Sequence, residues 1–161
     1  MKGKNIAFTV IRIVLVIALI FAIFFFVFKT PALSNKPFSE VAEAVSKSIN
    51  SDLMEENTTR FVKKYYHLNA GDYDGVLIYT PLTSMDAEEV LLIKLKDASQ
   101  EEEVKNAIES RVNAKLSAFK GYAPEQYDLS KNYLLDISGG YVLYVVSPNA
   151  DKIDKAFKNA L

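Results

Sequence analysis

One histidine and no cysteine occur in 161 residues, so the side chains able to do chemistry are carboxylates, tyrosines and a few cations. His67 follows Lys63-Lys64-Tyr65-Tyr66. Alone it supplies neither a zinc set nor a nucleophile–base pair, and its place suits a helix C-terminus, where the dipole favours a cation. Without Cys there is no disulfide, no thiolate ligand and no lipid-modifiable thiol. Two acid clusters stand out, Asp86-Ala87-Glu88-Glu89 and Glu101-Glu102-Glu103. Neither has the spacing or the glycine of an EF-hand loop, and the second suits the first turn of a helix. No Gly-rich phosphate loop and no nucleophile elbow is present. The sequence therefore assigns no catalytic, cofactor-binding or metal-ligating residue.

Nine tyrosines remain. Tyr133, Tyr141 and Tyr144 fall on one predicted hairpin, and an aromatic face is a common protein-contact surface. Tyr141 and Tyr144 are three positions apart, so strand alternation sends them to opposite faces. One of them is expected to point away from the core, and these three tyrosines are the candidate partner contact. Arg111 lies beside the apolar stripe of a predicted helix, where its stem can cover the core.

The elements that must position these residues follow from periodicity. Ser39 is read as the cap of a first helix, with Val41, Ala44, Val45 and Ile49 on one stripe. Asp52 to Glu56 reads as a polar connection or short helix, and Asn57 to His67 as a second helix, with Phe61, Val62 and Tyr65 as its apolar face. Gly75 to Thr80 and Glu89 to Lys96 are apolar strands. A long helix follows, with Ser99 and Glu102 as a capping box, Val104, Ile108, Val112, Leu116 and Phe119 facing inward, and Gly121 as its left-handed stop. Two strands around Gly139-Gly140 give a hairpin, and Asn149 opens the last helix. The expected fold is α+β: a two-layer domain with an antiparallel sheet of about four strands and helices on one face.

The N-terminal piece is different. Residues 1–36 carry Lys2, Lys4, Arg12, Lys29 and Lys36 and no acid, a formal +5. This leaves 14 basic residues against all 20 acids, a formal −6, over residues 37–161. Ile13 to Phe28 runs for 16 residues without a polar side chain. As a helix that run covers about 24 Å, and Ile6 to Phe28 spans a bilayer core of about 30 Å if Arg12 reaches back to the headgroups. The positive-inside rule then keeps the N-terminus in the cytoplasm. The expected organisation is a cytoplasmic tail at 1–5, a transmembrane helix at 6–28, a linker at 29–37 and an extracytoplasmic domain at 38–161. The half-apolar composition excludes a disordered chain, and the near-balanced charge argues against nucleic acid as a partner.

Met85-Asp86-Ala87-Glu88-Glu89, Lys94, Glu103-Val104, Arg111, Phe119, Tyr122-Ala123-Pro124-Glu125-Gln126 and Gly140-Tyr141-Val142 together carry a resemblance. Over residues 37–161 the chain resembles a family of small bacterial envelope proteins, common in Gram-positive organisms and often lipoproteins, classed as a domain of unknown function. The resemblance implies an extracytoplasmic α+β domain and no catalytic residue. The chain departs from it in having an apolar anchor in place of a lipid-modifiable Cys. The expected role is a single-pass, membrane-anchored binding or accessory module of the cell envelope, with the membrane and another envelope protein as partners. The alternative is an envelope-polymer hydrolase or transferase using carboxylates such as Glu88 and Glu125.

Overall fold

The computed structural model describes residues 12–21 and 34–161. The chain divides into two compact units, Met1–Pro31 and Ala32–Leu161. In the first, residues 12–21 are helical and their side chains are exposed. Among the described residues no helix is long and apolar enough to cross a membrane. The rest of the expected span 6–28, the tail 1–5 and residues 29–33 of the linker lie outside the described residues.

The second unit is α+β, with the elements α1 (Phe38–Ser48), β1 (Met54–Asn57), α2 (Thr59–Tyr66), β2 (Gly75–Pro81), β3 (Glu89–Lys94), α3 (Glu101–Phe119), α4 (Pro124–Lys131), β4 (Leu134–Ser138), β5 (Tyr141–Val146) and α5 (Ala150–Ala160). The five strands form one antiparallel sheet in the order β1-β2-β3-β5-β4. The sheet has one strand more than the four expected. Met54-Glu55-Glu56, expected in a polar connection or short helix, and Asn57, expected to open the second helix, pair with β2 as an edge strand. Only Met54 of its side chains is buried, so its composition carries almost no strand signal.

Helices cover both faces of the sheet, which makes three layers in place of the two expected. On one face Val41 and Val45 of α1 and Ile153 and Phe157 of α5 pack on Leu77, Val90, Leu92, Tyr141, Leu143 and Val145. On the other, α2 and α3 supply Val62, Tyr66, Val104, Ile108 and Val112 against Ile78, Leu91, Ile93, Val142 and Tyr144. The physical reason is visible in β3 and β5. Their apolar residues do not alternate with polar ones, and a strand apolar on both sides needs cover on both sides.

Local chemistry sets the boundaries. Asp97, not Ser99, caps the turn Ala98–Gln100 that leads into α3: its carboxylate accepts the Ser99 N–H, and Gln100 Oε1 accepts the Asp97 N–H. Gly121 follows α3 at φ +88°, the left-handed stop expected of it. Gly139 and Gly140 both have positive φ and close the two-residue hairpin turn between β4 and β5. Where the chain enters this unit it is stapled to that hairpin. Ser34 N–H donates to Gly139 O at 2.6 Å, and Lys36 O accepts from both Lys94 Nζ and Tyr141 OH at 2.8 Å.

Candidate functional site

The first residue of β3 is a glutamate whose side chain is wholly buried. Glu89 leads a strand whose side chains alternate between the two cores, and its own points to the α2/α3 face. A lone carboxylate there would be very costly, and three groups answer it. Arg111 of α3 pairs side-on, Nε to Oε1 at 3.0 Å and Nη2 to Oε2 at 2.6 Å. Lys115, one helical turn further, brings Nζ to 3.0 Å from Oε2. Tyr66 of α2 donates its hydroxyl to Oε1. Lys115 also donates to Ala87 O, and the Ala87 N–H donates to Gln126 Oε1 of α4 at 2.8 Å. The start of β3 is thus held through its backbone as well as its carboxylate.

The electrostatics follow from the contacts. Burial alone would raise the Glu89 carboxyl, but Lys115 and the paired Arg111 hold it below the ordinary carboxylate range. Burial pulls Lys115 below its ordinary value, against the attraction of Glu89. Burial, with the Glu89 charge behind it, pushes the Tyr66 hydroxyl well up, so Tyr66 stays a neutral donor. The cluster holds two cations and one anion, a net single positive charge.

That charge opens onto a cleft of about 310 Å³. Phe61 and Tyr65 of α2 and Ala114, Ala118 and Phe119 of α3 line it, and Glu55, Leu82, Thr83, Ser84 and Asp86, all exposed, mark its mouth. Arg111 and Lys115 line it from the cluster side. The Arg111 guanidinium carbon lies 4.1 Å from the Tyr65 ring centroid, a cation–π contact. The cleft sits at the Glu89 end of β3. The staple at Lys36 sits at the other end, where Lys94 reaches it. Six strand residues separate the two, about 17 Å at about 3.4 Å per residue.

The tyrosines expected to contact a partner are elsewhere. Tyr141 and Tyr144 do take opposite faces, Tyr141 against Phe38 and Phe157 and Tyr144 against Tyr66 and Tyr133. Both are fully buried, because each face carries its own helices. The expected outward tyrosine is therefore not found, and Tyr133 is half-buried against Tyr144. Glu88 is buried with Oε2 unpartnered among the described residues, and it does not line the cleft. Glu125 is exposed in the first turn of α4. His67 ends α2 in the left-handed conformation and is exposed.

Residues 47–147 match the model of a protein family described as a domain of unknown function, DUF4358. The match covers more than half of the chain. The chain belongs to the DUF4358 family. No curated protein and no solved structure matches it. The DUF4358 match is shorter than the 37–161 of the resemblance. It takes in all five strands, α2, α3, α4 and every member of the Glu89 cluster, and it stops short of α5.

The Arg111, Phe119 and Tyr122-to-Gln126 series that carries the family resemblance converges here. Arg111 reaches Glu89, Phe119 walls the cleft, Tyr122 packs on Phe119 and Gln126 holds Ala87. Sequence reasoning missed Glu89, Lys115 and the cleft. One signal was available. Lys115 occupies the stripe of Val104, Ile108, Val112 and Phe119, and a lysine on an apolar stripe requires a buried anion opposite it.

Proposed function

We propose that this chain is a membrane-anchored, extracytoplasmic binding or accessory module of the bacterial cell envelope, acting by contact at the cleft and not by turnover. The observation that carries the reading is the cleft beside the Glu89 cluster, whose charged side chains are already locked to one another and so present a preformed surface. The exposed apolar side chains from Ile13 to Phe21 support an anchor, since such a surface calls for lipid or protein cover. The charge pattern supports an N-terminus in the cytoplasm and the domain outside. Tethering raises the effective concentration of the site near a membrane neighbour, so modest affinity suffices. The partners in this reading are the membrane and another envelope component, with no nucleic acid. The buried carboxylate of the site is fully engaged by Arg111, Lys115 and Tyr66, which suits positioning better than proton transfer.

The test is topology combined with the site. Protease added to intact spheroplasts should remove the domain following Lys36. Protection until the membrane is broken would overturn the reading.

The second reading, an envelope-polymer hydrolase or transferase, has one observation in its favour. Glu88 is held above its ordinary value by burial and by the nearby Asp86, as a general acid would be. Glu88→Gln combined with Glu125→Gln should leave the cellular role intact if contact is the function, and abolish it if turnover is.

A further inference from the structure

The Glu89 cluster uses only part of what Arg111 offers. The side-on edge of the guanidinium, Nε and Nη2, faces Glu89, while Nη1 has no hydrogen-bond partner among the described residues. The end-on edge is the one that can take a second carboxylate through two parallel bonds. The two bonds to Glu89 already orient the guanidinium plane, and the Tyr65 ring lies against it. The cleft would therefore receive a planar anion without first ordering its main donor.

Charge restricts the anion. Arg111 and Lys115 against Glu89 leave one positive charge at the floor of the cleft, which one negative charge neutralises. Glu55 and Asp86 line the mouth and would repel a dianion, but they favour a cationic group at the outer end of a ligand. Phe61, Phe119 and the exposed Leu82 offer apolar contact between the two ends. A volume of about 310 Å³ suits a small molecule at the low end of ligand-pocket sizes.

We propose that the cleft binds a small zwitterion of the amino-acid class, as a free amino acid or a short peptide, with its carboxylate on Arg111 and its ammonium toward Glu55 and Asp86. This rests on the reading of the cleft as the working site. It would stand if the membrane topology were reversed, and the binding-module reading would stand if the ligand proved to be of another class.

The experiment is a titration of the purified full-length chain in mild detergent, followed by calorimetry and by tyrosine fluorescence. Leucine and the dipeptide Ala-Leu are the two probes. Tighter binding of leucine identifies a free amino acid, and tighter binding of the dipeptide a short peptide. Leucinamide, which lacks the carboxylate, should bind at least about tenfold more weakly, a difference of about 1.4 kcal/mol. N-acetyl-leucine, which lacks the ammonium, should also bind more weakly, and this preference should vanish in Glu55→Gln/Asp86→Asn. Ala114→Leu, which adds bulk to the cleft from α3 and leaves every member of the ion cluster unsubstituted, should abolish binding and leave the melting midpoint in place. Arg111→Lys keeps the charge and loses the fork, and should cost a further tenfold or more. No saturation by either probe at millimolar concentration, equal affinity for inorganic phosphate, or unchanged binding in Ala114→Leu would each overturn the proposal.

Discussion

The two faces of the sheet are built from the same strands and filled by different rules. The face under α1 and α5 has an apolar centre, from Val41 to Phe157, and its ion group, Asp136 and Asp154 with Lys158, lies at the β4 edge where the Lys158 side chain is half-exposed. The face under α2 and α3 has an equally apolar centre, but its edge at the start of β3 carries a buried carboxylate, two cations and a tyrosine hydroxyl. A buried ion cluster is seldom a gain in stability over well-packed apolar residues of similar volume. The first face leaves the cation of its ion group in contact with water, while the second buries Glu89 and Lys115 completely. The second bears a cost that the fold alone does not explain, and it opens on the cleft.

Breaking the cluster one member at a time should give the largest effect. Glu89→Gln leaves Arg111 and Lys115 unanswered in the interior and should cost about 3–5 kcal/mol in urea melts. Converting the whole cluster with Glu89→Leu, Arg111→Met, Lys115→Leu and Tyr66→Phe removes every buried polar side chain of the cluster. That variant should be as stable as the parent or more so, and should lose all binding at the cleft. A quadruple variant as unstable as the single one would show that the ions stabilise the fold in their own right.

Leu143→Ala sharpens the comparison from the other side. It opens a cavity under α1 and α5 and should cost about 2–5 kcal/mol. Ligand titration of the folded variant should be unaffected. Asp97→Ala removes the cap of the turn before α3, and its effect on the melting midpoint should be smaller than that of Leu143→Ala.

The smallest effect concerns pH, and the two neighbouring glutamates should show opposite signs. Glu89 is held below its ordinary value, so its contribution is present above the carboxylate range and is lost as pH falls through its lower folded value. Glu88 is held above its ordinary value, so its native state binds a proton more readily than the unfolded chain does. Its ionisation therefore weakens the fold as pH rises past the carboxylate range. Glu88→Gln should raise the melting midpoint slightly at pH 7, with the gain disappearing in acid. A gain that persists in acid would point to packing and not to ionisation.

Much of this fold was legible in the sequence, and the gaps have physical causes. The long helix, the Gly139-Gly140 hairpin and the two apolar strands carry strong local signals, and all four are present. β1 was invisible because an exposed edge strand needs only one buried residue, Met54. The second helical layer was legible in principle, since Val90-Leu91-Leu92-Ile93 shows no polar side to leave facing water. The tyrosine argument failed at that same point. Alternation placed Tyr141 and Tyr144 on opposite faces correctly, but opposite faces do not mean one inside and one outside when both are covered. The site was the least legible part. Glu89, Arg111 and Lys115 lie up to 26 positions apart, and only the packing of α3 on the sheet brings them together.

The staple at Ser34 and Lys36 has a mechanical consequence. Traction arriving along the N-terminal stretch would meet the domain at the hairpin turn and at the adjoining ends of β3 and β5. These are central strands, paired with each other over six residues. The hydrogen bonds to Ser34 and Lys36 must give way before a load along the backbone reaches Phe38 and α1. Glu55 and the turn from Leu82 to Asp86 lie at the unloaded pole. The contacts that would yield first therefore lie at the opposite end of β3 from the mouth of the cleft.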